Sequence, residues 1–175
     1  KKYVGKERLA AYGGKSQKSP KDRLHDYSKK VKQSIEMVED SIDMDAIADL
    51  CDDIYKYQRV AIFGLLKAGA VSLNLQGDLL MLGKQVYTNI SYQQQMEYIM
   101  SANEDDLIII FSYTGSYFDY QEIRALKNKL KIPKIWFISS EKSEFPTFLD
   151  RIITFKSLQD QNSHPYQLQF IASLI

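Results

Sequence analysis

Leu107-Ile108-Ile109-Ile110-Phe111-Ser112-Tyr113-Thr114-Gly115-Ser116 is the stretch whose reading decides the fold. Five consecutive apolar residues, three of them Ile, follow the acidic Glu104-Asp105-Asp106. An unbroken apolar run of this length fits a strand covered on both faces, as in a parallel sheet, whereas a half-solvated strand alternates. The run stops in hydroxyls and a glycine, and a helical pattern follows, with Tyr120, Ile123, Leu126 and Leu130 at spacings of three and four. Ser116 and Asp119 stand at capping-box spacing. A strand that feeds such a turn and a helix N-terminus gathers free N–H groups and the positive end of the helix dipole at one spot. Ser112, Thr114 and Ser116 add O–H donors there. Two readings fit equally well: an anion site, or a polar βα turn with a capped helix and no ligand.

Working outward, strand and helix patterns alternate along most of the chain. Strands are expected near Arg59–Phe63, Gln85–Thr88, Leu107–Phe111, Lys134–Ile138 and Arg151–Thr154. Helices are expected near Ala68–Leu82, Tyr92–Ser101 and Tyr117–Leu130, with a short turn around Phe145–Leu149 and a last helix from His164-Pro165. Two helices precede them. One runs from Pro20 to about Glu39, with Tyr27, Val31, Ile35 and Val38 on one side. The other runs from about Asp43 to Tyr57, with Ile47, Leu50, Ile54 and Tyr57 on one face. Strands in βαβ order predict an α/β, doubly wound, five-stranded and mostly parallel sheet flanked by helices, a flavodoxin-like three-layer sandwich with preceding N-terminal helices. Ligands of such sheets bind beyond the strand C-termini.

With 175 residues, 45% of them hydrophobic, the chain can bury one substantial core. No apolar run approaches the roughly 20 residues that span a bilayer, so no membrane partner is expected. The lysine-rich start lacks the apolar core of a secretory signal. A single cysteine, Cys51, excludes an internal disulfide and a cysteine-rich zinc site, and a cytosolic protein is the simple reading. The net charge of +1 hides an asymmetry. Residues 1–32 hold eleven Lys/Arg against three acids, a net +8, and the remainder carries −7. A basic arm on an acidic body suits a polyanion, usually nucleic acid; a solvated lysine-rich linker has the same composition.

Residues suited to chemistry are few. The first βα turn, Phe63-Gly64-Leu65-Leu66-Lys67-Ala68-Gly69-Ala70, departs from the dinucleotide fingerprint because Leu66 replaces its second glycine. It offers backbone N–H groups and Lys67, a point charge suited to phosphate or simply to solvent. Of the two histidines, His25 lies in the basic arm and His164 precedes the last helix, where a capping or packed role competes with that of a general base. Glu97 and Glu122 fall on solvated helix positions. No catalytic residue, metal cluster or cofactor motif stands out, and the chain is not expected to be an enzyme. Tyr92, Tyr98, Tyr113, Tyr117 and Tyr120 could stack on a sugar ring or pack in the core. Gln93-Gln94-Gln95 reads as surface, and Trp136 as core.

The turn Phe111-Ser112-Tyr113-Thr114-Gly115-Ser116 is similar to the Ser-x-Ser-Gly-x-Thr turn of the sugar-isomerase (SIS) fold. Ser112, Thr114 and Gly115 match, and Tyr117 takes the place of the family's Thr. Val60-Ala61-Ile62-Phe63-Gly64, through to Leu82-Gly83-Lys84, resembles the first SIS segment, and the two segments agree in order and spacing over about residues 43–155. The preceding helices and basic stub look like the RpiR-type bacterial transcriptional regulators. Those join an N-terminal helix-turn-helix domain to a C-terminal SIS domain that senses phosphosugars and dimerises. The resemblance implies that residues 1–20 are a basic remnant and linker from the DNA-binding domain and residues 21–175 the effector domain. It implies a phosphorylated sugar effector held by Gly64, Lys67, Ala68, Gly69, Ser112, Thr114, Gly115 and Ser116. DNA would be the partner of the full-length chain, which would act as a homodimer or dimer of dimers. Ala68 stands where the family has a phosphate-binding serine, and alanine donates no hydroxyl hydrogen bond. A sugar-phosphate isomerase and a degenerate SIS domain kept for dimerisation are the alternatives.

Overall fold

The computed structural model describes residues 19–119, 130, 132–141, 144–149, 151–158 and 164–175. The described strands are β1 (Arg59–Gly64), β2 (Asp106–Phe111), β3 (Lys134–Ser140) and β4 (Arg151–Phe155), hydrogen-bonded in the order β1-β2-β3-β4 with every pair parallel. β2 is buried along its whole length, which is why its sequence does not alternate. The helices are α1 (Pro20–Glu39), α2 (Met44–Lys56), α3 (Lys67–Met81), α4 (Tyr92–Ser101) and α5 (Tyr166–Ala172). The helix expected over Tyr117–Leu130 falls mostly outside the described residues, as do residues 1–18 of the basic arm.

Local chemistry sets the helix ends. Ser19 and Asp22 close a capping box at α1, whose first residue is Pro20. Asp43 caps α2 by accepting from the N–H groups of Asp45 and Ala46. At the far end of α3, Gly83 adopts φ 83°, so that Lys84 N–H reaches the Leu79 carbonyl and Gly83 N–H the Leu80 carbonyl. This is the left-handed C-terminal cap that glycine makes without steric cost.

Among the described residues the sheet carries four strands where the pattern predicts five. The Gln85–Thr88 stretch lies against the outer edge of β1 but pairs at one point, Ala61 with Tyr87 in parallel sense. Ile62 N–H donates to the Tyr87 carbonyl and Tyr87 N–H to the Val60 carbonyl. The ladder ends there because the hydroxyl of Thr88, rather than the next backbone N–H, takes the Ile62 carbonyl.

Period-two alternation divides the core between the two faces of the sheet. Leu107, Ile109 and Phe111 join Val60 and Ile62 under α2, α3 and α5, with Leu50, Leu75 and Leu168 among the residues that meet them. Ile108 and Ile110 point the other way, with Ala61, Phe63, Phe137 and Ile99 of α4. The buried carboxylate Asp53 ties α2 to β3 by accepting from Trp136 Nε1 at 2.8 Å and pairing with Lys134 Nζ at 2.6 Å. At the N-terminal ends of the strands, buried Asp106 takes Arg59 at 3.0 Å and the Tyr98 hydroxyl at 3.0 Å.

Candidate functional site

The chain leaves β1 through α3 to the Tyr87 edge, then returns through α4 to β2 on the other side of β1. Strand order therefore reverses at β1, and α3 and α4 lie on opposite faces. The C-terminal ends of β1 and β2, where Gly64 pairs with Phe111, flank the resulting crevice. A parallel sheet offers its ligand crevice at such a reversal, since the two flanking loops diverge to opposite faces. The turns that follow Gly64 and Phe111 are those singled out in the sequence. The tertiary fold brings them side by side.

The second turn is built on its own hydrogen bonds. Ser112 is buried; its N–H donates to the Ile138 carbonyl and its Oγ accepts from Tyr117 N–H at 3.2 Å. Gly115, at φ 68°, donates its N–H to the Ser112 carbonyl at 2.9 Å. The hydroxyls of Thr114 and Ser116, both exposed, lie 2.7 Å apart. Ser140, at the end of β3, supports the turn by donating its N–H and its hydroxyl to the Tyr113 carbonyl.

The first turn brings β1 closely against the start of α3. A Cβ on Gly64 would stand 2.7 Å from both the carbonyl carbon and the oxygen of Ala68, so only glycine lets β1 run this close to α3. A Cβ on Gly69 would likewise stand 3.1 Å from the Gly64 carbonyl oxygen. Ala68 is buried in the core, and the N–H groups of Ala68 and Gly69 go to the carbonyls of Leu65 and Leu66. Leu66 adopts φ 55° and ψ −119° and is 95% exposed. That is glycine's conformational territory, occupied here by a leucine. Lys67 turns towards α5, where its Nζ donates to the His164 carbonyl at 2.6 Å.

His164 reaches the same end of the sheet. Its ring stacks on Tyr113 at 4.4 Å between centroids, and the Tyr113 hydroxyl lies 2.6 Å from Ser157 Oγ. The His164–Pro165 bond is cis. The resulting rim holds hydroxyls from Ser112, Thr114, Ser116 and Ser157, with Lys67 and His164 as its basic groups. Such a rim can receive a phosphate or a polyol by hydrogen bonding. Among the described residues no group of three or more His, Cys, Asp or Glu could hold a metal ion.

One residue here escaped the sequence reading. Gln95 is not surface: it is 0% exposed, and its Nε2 donates to the carbonyls of Gly64 at 2.9 Å and Asn89 at 2.5 Å. Its Oε1 accepts from the Tyr117 hydroxyl at 2.8 Å. Burial first, and then the nearby Tyr92, push the Tyr117 hydroxyl well above its ordinary value, so it remains a neutral donor. Tyr117, which takes the place of the family's threonine, is thus drawn into the core. The spacing of Gln95 to Ile99, on the face shared with Tyr92 and Met96, was the available signal.

Known structures share this architecture. The sugar isomerase domain of an RpiR transcription factor from Sphaerobacter thermophilus superposes with a TM-score of 0.68 at 15% identity, covering 86% of each chain. The Vibrio vulnificus NanR protein, complexed with ManNAc-6P, gives 0.71 at 12% identity over 87% of this chain and 60% of that one. A phosphoheptose isomerase from Francisella tularensis gives 0.65 at 13% identity over 90% and 96%. The sequence itself matches no family model and no curated protein. The class is therefore that of the open parallel α/β sheets with a crevice at the strand reversal. Within it, the chain has the SIS-type fold, shared by RpiR-type regulators and phosphosugar isomerases. No helix among the described residues is long and apolar enough to cross a membrane.

Proposed function

We propose that the chain is the ligand-sensing and dimerising domain of a transcriptional regulator of sugar metabolism. The observation that carries this reading is the hydroxyl-rich turn Ser112–Ser116 beside Gly64, at the strand reversal. A phosphorylated sugar binds there, with Ser112, Thr114, Gly115 and Ser116 around the phosphate and Gly64–Gly69 as the opposite wall. Lys67 supplies charge by releasing the His164 carbonyl. Ligand binding biases the placement of two subunits and so the DNA affinity of the helix-turn-helix domain joined to residues 21–175 in the full-length chain. The net +8 of residues 1–32 favours a regulator over an enzyme, because polyanion contact accounts for it and isomerisation does not.

The rival reading is a sugar-phosphate isomerase, favoured by the position of His164 at the same rim. Isomerisation needs a base within reach of the substrate carbon, whereas this ring lies against Tyr113. Calorimetry with a panel of sugar phosphates, their unphosphorylated parents and inorganic phosphate tests the sensor. One phosphosugar should bind, and Ser112→Ala with Thr114→Ala should abolish binding. Turnover of any aldose or ketose phosphate, lost in His164→Gln, would replace the regulator with the isomerase. Silence towards the whole panel, with binding regained in Ala68→Ser, would identify a decayed site kept for dimerisation.

A further inference from the structure

We propose that the outward face of α1 binds the phosphate backbone of a nucleic-acid duplex. α1 is buried at Ser34 and Val38 and nowhere before them, so its half from Pro20 to Gln33 stands largely in solvent. Its apolar side, with Val31 and Ile35 half-buried and Tyr27 edge-on to Tyr166 of α5 at 6.4 Å, is turned to the body. That fixes which side looks out. At 100° per residue Lys21, His25, Lys29 and Lys32 fall within about 80° of one another, across the helix from those residues and along about 16 Å of its axis. All four are exposed. His25, Lys29 and Lys32, with Ser28 and Gln33, line a groove of about 630 Å³ that reaches Glu36.

The order of charges along α1 works against the helix itself. Lys21 and Arg23 stand in its first turn, where the dipole disfavours cations, and Glu36 and Glu39 in its last, where it disfavours anions. Asp22, the acid of the first turn, is tied into the capping box with Ser19. Lys29 and Lys32 repel each other three residues apart, and Lys32 precedes Glu36 in the weaker order of that i,i+4 pair. A solvated helix gains nothing from this arrangement. A polyanion laid along the strip turns the clustered cations into a gain, by releasing the counterions condensed on its phosphates. The strip holds no Phe, Tyr or Trp to stack on unpaired bases and no aliphatic side chain to enter a bilayer, which leaves the backbone of a duplex. Ser28 and Gln33 add hydrogen-bond donors for phosphate oxygens. Residues 1–18, which lead into α1, carry Lys1, Lys2, Lys6, Arg8, Lys15 and Lys18 against Glu7, so the same sign of charge continues along the chain. The contact is additional to that of the helix-turn-helix domain proposed above, and it rests on no part of the crevice.

Fluorescence anisotropy of a short labelled duplex of random sequence, titrated with the chain at several salt concentrations, tests this. The logarithm of the affinity should fall linearly with that of the salt concentration. Lys29→Gln with Lys32→Gln should flatten the slope by about 1.8, two contacts at about 0.9 each, and weaken binding at least about tenfold at low salt. Arg23→Gln with Lys30→Gln removes the same charge from another side of α1 and should flatten the slope by less than about 0.5. Glutamine forms helix about as well as lysine and all four side chains are exposed, so circular dichroism should be unchanged in both variants. Absence of binding at low salt overturns the proposal. Equal losses in the two variants overturn it as well, because net charge rather than a surface would then be responsible. Complete displacement of the duplex by polyglutamate at equal charge concentration would reassign the strip to acidic proteins. Each of these leaves the sensor reading standing, since calorimetry with phosphosugars reads the crevice alone.

Discussion

Replacing Gln95 by leucine tests whether the rim of the crevice is held from below. The amide is fully buried and bridges the end of β1, the Asn89 loop and Tyr117. Leucine is close in volume but can neither donate nor accept. The substitution leaves the Gly64 carbonyl and the Tyr117 hydroxyl without the amide in a buried setting, at about 1–3 kcal/mol each, while the added apolar surface returns about 1 kcal/mol. The net loss should be about 3 kcal/mol, or roughly 6–12 °C in melting temperature for a chain of this size. Urea unfolding followed through the single buried Trp136 gives the free energy directly. Tyr117→Phe, which strands one acceptor, should cost about 1–2 kcal/mol. The double variant should cost less than the sum by about 1 kcal/mol or more, because the Gln95–Tyr117 bond can be lost only once. A loss below about 1 kcal/mol for Gln95→Leu, or additivity within about 0.5 kcal/mol, would refute the bridge.

Leu66→Gly should raise stability. It relieves a strained backbone of about 1–3 kcal/mol against an unfolded-state entropy cost of about 0.5–1 kcal/mol, and a drop in the urea midpoint would show the turn to be unstrained. Asp53→Ala should cost about 2–4 kcal/mol, because it strands the buried Trp136 N–H and unpairs Lys134; a change under about 1 kcal/mol contradicts that contact. Tyr98 is pushed up to about 12, by burial first and then by the Asp106 charge. Its folded form keeps the proton that the unfolded chain loses near pH 10, so its contribution is complete below pH 10 and falls away as pH rises towards about 12. Tyr98→Phe should flatten that decline in a pH series of urea melts, and an unchanged slope would assign the decline to another group.

Much of the architecture is local information, and the sequence by itself determined it. Five apolar residues in a row at Leu107–Phe111 have no solvent-facing member, and β2 is buried at every position. The Ser19–Asp22 capping box sets the start of α1, and α1 and α4 span Pro20–Glu39 and Tyr92–Ser101 as the pattern predicts. Hydroxyls after β2 and glycines after β1 mark the two turns without saying that the strands leading to them are neighbours. Only the tertiary structure decided the rest, because polar side chains choose partners by position in space. Gln95 is one of three glutamines in a row, and nothing local reveals that its amide meets Gly64, 31 residues away. Lys67 reads as a solvated charge until the start of α5, 97 residues on, brings the His164 carbonyl to it. The edge stretch at Tyr87 has the composition of a strand, yet a single hydroxyl from Thr88 ends its ladder. Burial follows from what a residue is, and partnership from where the fold puts it.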